Sequence, residues 1–462
     1  MIKWDGVGVI YMIYILFIIT TLFLCIAYKG SRLKFLSPTF WASSLFVLCT
    51  FIYCITFFSM NSDISLQTLL VIVTFLIVTY IGEYIGMTMN VTIKRNSGRN
   101  RKLKNILQAA KYSTIEISFW KILLLTIVYL YIAIKRYINL AAVVGNKDAG
   151  LLNIFSIMGD ARTKFIKTNG KIVLGNVIEN QIVYFSEITT YIVLFIFIYN
   201  SFCARKRKYY ILLPLVPDLI IRMISTSRTS FIILMFSILI FIIVIQYKKN
   251  NFNKIKIPKR FAVLGIIFII AFFVYGRFRN NIYSIPIVSY IQSYTSASIY
   301  GLDYLLINGW TKNSYFGKNT MYHILDFIGI ENANPQMGSG MVTFSKSTLR
   351  SNLITSLMPP IMDFGIWGML LLRFIAALLS TVLIKKFLSY VGSGSYKTYI
   401  LIYFVVAVLY AYLLSPIGDS FRDYFFNPDL MLRYLVYGFL LVKCFLQPRI
   451  VEKDISFLRS ES

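Results

Sequence analysis

Long apolar runs recur along the whole chain, and short polar or basic stretches separate each run from the next. A run of about 18 or more apolar residues crosses the roughly 30 Å hydrocarbon core of a bilayer as one helix. The pattern therefore predicts an all-α, polytopic integral membrane protein with about eleven transmembrane helices, in a range of roughly 10 to 13. The predicted spans are 7–28, 38–60, 66–88, 116–135, 176–201, 209–224, 229–247, 261–276, 361–384, 398–415 and 430–446.

The composition excludes an ordinary soluble protein. Charged residues make up only 14% of the 462 residues, and hydrophobic residues make up 57%. Soluble domains carry about 25% charged residues. No long polar block lies outside the apolar runs. We therefore expect a single transmembrane domain over residues 1–462, with no attached soluble catalytic domain.

The net charge of +28 is concentrated in short connections between the apolar runs. An excess of Lys and Arg in short loops is typical of the cytoplasmic side of a membrane protein. This distribution explains the charge without a nucleic-acid partner, which we do not expect. It also predicts an outer N-terminus and a cytoplasmic C-terminus. The basic connections are 29–34, 94–104, 205–208, 248–260 and 385–397.

Two segments on the predicted outer side, 136–175 and 277–360, are too long for simple turns. Loops longer than about 12–15 residues are usually functional or disordered, and the many aromatic residues of the second segment argue against disorder. That segment also contains His323, the only histidine of the chain. We therefore expect the long outer loop 277–360 to carry part of an active site.

A Ser-Thr-Ser-Arg-Thr-Ser-Phe stretch at 225–231 connects two predicted helices. The connection is so short that Arg228 has to lie at the outer membrane boundary. There a guanidinium beside hydroxyls and helix N–H groups suits phosphate oxygens. The alternative is a snorkelling side chain that anchors a helix at the interface. Asp218 and Arg222 are four residues apart on the preceding helix, so they share a face and are expected to pair.

The loop 277–360 contains more basic than acidic residues, against the usual charge bias of an outer loop. This excess predicts an anionic partner such as a lipid-linked diphosphate, or else contact with the phospholipid surface. Tyr294 and Tyr300 are suited to stacking on sugar rings, but tyrosines also form interfacial aromatic belts. Arg422 belongs to another charged group near the outer ends of the last two predicted helices. The basic candidates of the loop are Arg277, Arg279, Lys312, Lys318, Lys346 and Arg350.

Three residues compete for the role of a general base. A histidine side chain exchanges protons near neutral pH, which makes His323 one candidate; Asp303 and Asp363 are the others. Asp363 has an alternative structural role, because it opens a predicted helix whose N-terminus a carboxylate stabilises. Charges inside predicted spans, such as Glu187 and Arg373, are further functional hypotheses.

Several common catalytic motifs are missing from the sequence. There is no Gly-rich phosphate loop with its lysine, no His-Glu-x-x-His zinc spacing and no Gly-x-Ser-x-Gly elbow. No Asp-x-Asp pair is present to hold a metal-bound sugar nucleotide. We therefore expect no metal and no cofactor. Use of a cytoplasmic nucleotide-sugar donor is disfavoured.

Three stretches occur in an order that resembles one bacterial enzyme family. They are Ser-Arg-Thr-Ser-Phe at 227–231, Tyr-Thr-Ser-Ala-Ser-Ile-Tyr-Gly-Leu-Asp at 294–303, and Asn352-Leu-Ile-Thr355 followed by Asp363-Phe-Gly365 and Gly368. In these pieces, over roughly residues 200–400, the chain resembles the O-antigen polymerases, the Wzy-type oligosaccharide repeat-unit polymerases. The N-terminal third matches that family in hydropathy only.

The resemblance implies a GT-C-like glycosyltransferase at the outer, periplasmic face of the bacterial cytoplasmic membrane. Donor and acceptor would both be oligosaccharides linked to undecaprenyl diphosphate, and a chain-length regulator and a flippase would act in the same pathway. Arg228 would contact the diphosphate, assisted by Arg222, Arg277, Arg279 or Arg350. The remaining residues proposed to bind substrate are Tyr294, Tyr300, Asn352, Thr355 and Arg422.

Other functions compete with a polymerase. An O-antigen ligase has a similar architecture and uses a lipid A core as acceptor, but the Tyr-His-Ile-Leu surroundings of His323 do not match the expected ligase pattern. A lipid-linked oligosaccharide flippase or another secondary transporter predicts short loops and cations lining a central cavity. A purely structural membrane partner would leave the outer Arg and Tyr residues unexplained.

Overall fold

The computed structural model contains helices almost throughout the part of the chain that it describes. The described residues are 2–4, 7–60, 63–89, 114–145, 157, 160–161, 164, 174–204, 207–224, 229–249, 287–309, 316–330, 342–343, 350–351, 355–391, 395–418 and 420–451. Among them, eight helices are long and apolar enough to cross a membrane. The chain is therefore an all-α, multi-pass membrane protein.

The α-helices, numbered in chain order, are α1 Met12–Gly30, α2 Pro38–Met60, α3 Leu66–Thr88, α4 Phe119–Val144, α5 Val177–Tyr199, α6 Leu215–Ile224, α7 Thr229–Lys249, α8 Ile287–Asn308, α9 Tyr322–Phe327, α10 Met358–Tyr390, α11 Tyr396–Leu413 and α12 Pro428–Phe439. Strands form three antiparallel pairs: β1 Ile2–Trp4 with β2 Val7–Ile10, β3 Thr114–Glu116 with β6 Arg449–Val451, and β4 Val342–Thr343 with β5 Arg350–Ser351.

Three of the predicted spans do not appear among the eight. The predicted span 209–224 is instead a 3₁₀ turn at Tyr209–Leu212 followed by the ten-residue helix α6. Pro214 and Pro217 explain this difference, because each lacks the N–H that a continuous helix needs. The span 430–446 corresponds to α12 and the π-helical segment Leu440–Leu446, and 261–276 lies outside the described residues.

The chain divides into two compact units. The first unit comprises Met1–Val91, Ser284–Lys386 and Ala407–Leu432, and the second comprises Thr92–Tyr283, Phe387–Val406 and Arg433–Ser462. Both units are built from segments that are far apart in sequence. The single transmembrane domain expected over residues 1–462 stays a prediction.

In the first unit, carboxylates from distant parts of the chain bind the N-terminal ends of helices. Asp63 accepts hydrogen bonds from Met12 N and Ile13 N (2.8 and 3.1 Å) at the start of α1. Glu83 accepts one from Thr39 N (3.2 Å) at the start of α2. These amides have no partner within their own helices, and the positive end of the helix dipole favours a carboxylate. The contacts therefore fix the helix ends while neutralising buried polar groups.

Two glycines bring α3 close to α10. A Cβ at Gly82 would lie 2.6 Å from the Phe374 carbonyl oxygen, and a Cβ at Gly86 would lie 2.9 Å from the Thr381 Cβ. Small residues spaced four apart let membrane helices approach this closely. Beyond Gly86, Lys385 donates to the carbonyls of Gly86, Met87 and Met89 at the end of α3. The two helices therefore run in parallel, with their starts at one end and Lys385 at the other.

The described part of 277–360 is more regular than a loop. It includes the 22-residue helix α8, which packs against α2 and α3 and buries the polar residues Gln292, Thr295, Ser296 and Ser298. The many serines and threonines lower the hydropathy of this helix, so hydropathy alone does not detect it. A turn at 316–320 and the short helix α9 follow.

The second unit contains α4 to α7 and is tied together at one end by β3 and β6. The Asn200 side chain extends this pairing, because it accepts from Ile115 N and donates to Ile115 O (both 2.8 Å). Within the helices, the buried hydroxyls of Tyr129 and Thr189 are 2.8 Å apart. α5 is buried along most of its length, so it forms the centre of this unit.

Candidate functional site

Asp363, on α10, holds the turn before α9. Its carboxylate accepts hydrogen bonds from Asn319 N, Asn319 Nδ2 and Thr320 N, at 2.7 to 3.0 Å. Two residues later the helix α10 is interrupted at Gly365, where φ is +72°. Residues with a Cβ rarely adopt this backbone conformation, which explains the glycine in the Asp-Phe-Gly sequence. Asp363 therefore binds amides of a segment that lies more than 40 positions earlier in the chain.

His323 follows three residues after the turn that Asp363 binds. The Nε2 atom of His323 lies 3.6 Å from Asp423 Oδ1, an ion-pair distance. Arg422 Nε lies 3.0 Å from the same carboxylate oxygen. His323, Asp423 and Arg422, which we call the His–Asp–Arg group, thus meet around one oxygen atom in the first unit.

A buried arginine anchors the segment that carries Arg422 and Asp423. The guanidinium of Arg373 lies over the Phe421 ring, 3.8 Å from its centroid, and donates to the Ser356 carbonyl. Tyr412 packs edge-on against the same ring at 4.8 Å. Arg373 itself is only 2% exposed. The intramembrane charge singled out from the sequence therefore positions the Phe421–Phe425 turn from inside the first unit.

The two neighbours of Asp423 favour the ionised form of its carboxyl group. Partial removal of the Asp423 carboxyl group from water raises its pKa. The contact with His323 and the positive charge of Arg422 outweigh this effect and hold the pKa below its ordinary value. The carboxylate is therefore ionised at neutral pH. About a quarter of the His323 side chain (28%) and half of the Asp423 side chain (50%) are exposed. A substrate can reach both side chains.

The group lies at one particular end of the first unit. Lys385 is level with the end of α3, and both the start of α3 and Asp363 on α10 lie about six turns earlier. Asp363 and the His–Asp–Arg group are therefore at the same end as the start of α3. The basic residues Lys29, Arg32 and Lys385 lie at the opposite end.

Asp303 lies at this end as well, but its bonds favour a structural role. Its Oδ1 atom accepts from Ser65 N, Ser65 Oγ and Thr68 Oγ1 at 2.6 to 2.8 Å. The residue is 4% exposed. These three donors tie the buried carboxylate to the N-terminus of α3, where the helix dipole favours a negative charge.

We expect Asp303→Asn to lower the free energy of unfolding by about 1–3 kcal/mol, because a neutral amide oxygen is a weaker acceptor for the three donors than a carboxylate oxygen. Thermal unfolding in detergent measures the loss. Tyr304→Phe is the matched control, since Tyr304 is the exposed neighbour on the same helix. Equal stability of Asp303→Asn and the control would show that the carboxylate does not tie α8 to α3.

Arg222 forms a separate ion-pair network in the second unit. Its Nε atom lies 2.7 Å from Asp218 Oδ2, a pair predicted from the four-residue spacing and confirmed here. A terminal nitrogen lies 3.5 Å from Glu187 Oε1, and another donates to the Ser230 carbonyl at 3.0 Å. Ser186 donates to the second Asp218 oxygen at 3.1 Å. With two carboxylates beside it, Arg222 is already neutralised, which favours a structural role over diphosphate binding.

The other residues proposed from the sequence are scattered. Tyr294 and Tyr300 are half-buried on α8. Arg350 lies in β5, where its backbone is opposite Thr343 of β4. Thr355 is completely buried before α10. Burial removes Thr355 from contact with a substrate in this conformation. Arg228, Arg277, Arg279 and Asn352 lie outside the described residues, so their roles stay predictions.

Asp423 is the member of the His–Asp–Arg group that the sequence did not single out. The sequence shows that Asp423 lies beside Arg422 in a charged group. Its contact with His323 joins residues 100 positions apart, so no local pattern predicts it. Comparisons of the chain with protein-family models, curated proteins and solved structures gave no match.

Proposed function

We propose that this protein is a membrane-embedded, nucleotide-independent glycosyltransferase that joins undecaprenyl-diphosphate-linked oligosaccharide repeat units into an O-antigen or capsular polysaccharide. The observation that carries the proposal is the His–Asp–Arg group at the end of the first unit opposite to Lys29, Arg32 and Lys385. By the positive-inside rule, that end faces away from the cytoplasm. The site then faces the periplasm from the bacterial cytoplasmic membrane.

His323 serves as the general base in this proposal. Asp423 lies beside Nε2 of His323, and this contact orients the ring. The carboxylate of a catalytic triad orients its histidine in a similar way. The other ring nitrogen, Nδ1, then accepts the proton. The hydroxyl oxygen of the acceptor sugar forms a bond to the anomeric carbon of the donor, and its proton moves to His323. The bond between that carbon and the diphosphate breaks, and undecaprenyl diphosphate leaves.

Arg422 provides the positive charge nearest to this base. Departure of a diphosphate builds negative charge, which a preorganised guanidinium stabilises. Planar guanidinium groups also match phosphate oxygens in pairs. A phosphate that binds Arg422 competes with Asp423 for the guanidinium, so donor binding strengthens the contact of Asp423 with His323. Arg228 would add a second guanidinium, as the family resemblance implies.

Deletion of the gene tests the proposal. We expect the deletion strain to carry single repeat units on its surface where the parent strain shows a ladder of lengths on a polysaccharide gel. A plasmid copy should restore the ladder, which makes it the control.

The competing functions leave different products. A ligase would leave lipid-linked polymer that is not attached to its acceptor. A flippase would leave no surface glycan, and lipid-linked units would accumulate inside the cell. Either result would overturn the assignment as a polymerase.

A further inference from the structure

A cavity of about 440 Å³ opens at the end of the second unit that is held by β3 and β6. Its walls combine two aromatic residues with two cations and an amide: Tyr396, Tyr399, Val442, Lys443, Gln447, Pro448 and Arg449. None of the residues that line it carries a carboxylate. Neither Lys443 nor Arg449 takes part in an ion pair within the described part of the chain.

The whole end of the second unit is basic. Glu116 is its only carboxylate among the described residues, and Lys208 already pairs with it at 2.6 Å. The cations gathered there are Lys121, Arg207, Lys208, Lys248, Lys397, Lys443 and Arg449. Among the described residues the cations at this end outnumber the single carboxylate, so the cavity lies in a positive field. Such a field favours an anion.

The cavity lies at the level where helices enter a membrane. α4 and α11, which are both long and apolar enough to cross a bilayer, begin at this end. Phe119 and Trp120 at the start of α4 are exposed, and Trp120 is 74% exposed. Aromatic residues in this position are typical of the headgroup region. An anion at this depth is most simply the phosphate of a lipid.

An apolar strip runs from the cavity along α12 and the start of the π-helical segment that follows it. Leu435, Val436, Phe439 and Leu440 are each 40–45% exposed, and their spacing puts them on one helix face. Phe439 also contacts Tyr396 of the cavity wall, with ring centroids 6.2 Å apart. A free phosphate ion would leave this strip without a role, whereas an acyl chain would cover it.

We propose that this cavity binds the phosphodiester headgroup of an anionic phospholipid, with an acyl chain along the strip of α12. Lys443 and Arg449 contact the phosphate. The Nζ atom of Lys443 lies 4.2 Å from the Tyr396 ring centroid. Gln447 is held beside them by a hydrogen bond from Lys121 (3.0 Å) and faces the glycerol hydroxyls of the headgroup. The site is independent of the glycosyltransferase assignment.

Native mass spectrometry of the delipidated, full-length protein tests this site. Phosphatidylglycerol and phosphatidylcholine with identical acyl chains are titrated separately. We expect one tightly bound phosphatidylglycerol and weaker binding of phosphatidylcholine. Lys443→Gln and Arg449→Gln should each lower the affinity for phosphatidylglycerol about fivefold. This corresponds to about 1 kcal/mol for each cation near the surface. Lys443→Arg should bind as the unchanged protein does.

The control is Lys397→Gln, which removes an exposed cation of the same end that does not line the cavity; it should change the affinity less than twofold. Equal binding of the two lipids, or an equal loss in Lys443→Arg and Lys443→Gln, would overturn the proposal. Displacement of the lipid by millimolar inorganic phosphate would do so too, because it would identify a site for a free anion.

Discussion

Replacement of His323 by alanine should reduce chain lengthening by about 10²- to 10⁴-fold, the usual contribution of a general base. Purified protein is incubated with lipid-linked repeat units, and the product lengths are separated on a gel. The loss follows from the position of the imidazole, which lies partly exposed beside an ionised carboxylate. Asp423→Asn should give a smaller loss, because the imidazole remains and only its orienting charge is removed.

Two variants separate catalysis from folding in this experiment. Asp326→Asn changes an exposed carboxylate on the same short helix as His323, so the ladder should stay normal. Asp303→Asn should lose stability while the folded fraction keeps its activity per molecule. If His323→Ala makes normal ladders and Asp303→Asn makes none, the base has been assigned to the wrong residue. The assignment to Asp303 would then be preferred.

Hydropathy predicts the long helices well because membrane crossing depends on an additive property of a contiguous stretch. It fails where a second factor interrupts the stretch. Pro214 and Pro217 shorten the predicted span 209–224 to the ten residues of α6. Hydropathy also fails for α8, because its buried serines and threonines lower the average hydrophobicity. The helix forms by packing against other helices, which hydropathy does not measure. Neither outcome follows from average hydrophobicity.

The candidate site shows the same division between local and long-range information. The Asp218–Arg222 pair is predictable because both residues are on one helix, four positions apart. The partner of Asp303 is 238 positions away at Ser65, and the partners of Asp363 are more than 40 positions away at Asn319 and Thr320. From the sequence, a carboxylate that binds amides looks the same as one that accepts a proton. Only the tertiary contacts distinguish them.

Removal of Asp218 should be the most destabilising single change in the second unit. The carboxylate is about 1% exposed and lies 2.7 Å from a guanidinium that is itself 5% exposed. Asp218→Ala leaves that guanidinium with Glu187 at 3.5 Å as its nearest described carboxylate. Breaking a buried ion pair on one side costs about 3–5 kcal/mol, because the remaining charge keeps its desolvation penalty. Thermal unfolding in detergent measures this loss.

The loss of stability in Asp218→Ala depends on the Arg222 charge that remains. A double variant tests this dependence. Asp218→Leu combined with Arg222→Met removes both charges and fills the space with apolar side chains of similar volume. Such replacements are often neutral or stabilising, so the double variant should be more stable than either single variant. Glu187→Gln should cost less than Asp218→Ala, because the Glu187 side chain is 26% exposed and more distant. A double variant as unstable as Asp218→Ala would show that Arg222 is needed for something besides pairing. The hydrogen bond from Arg222 to the Ser230 carbonyl at 3.0 Å would then be the leading explanation.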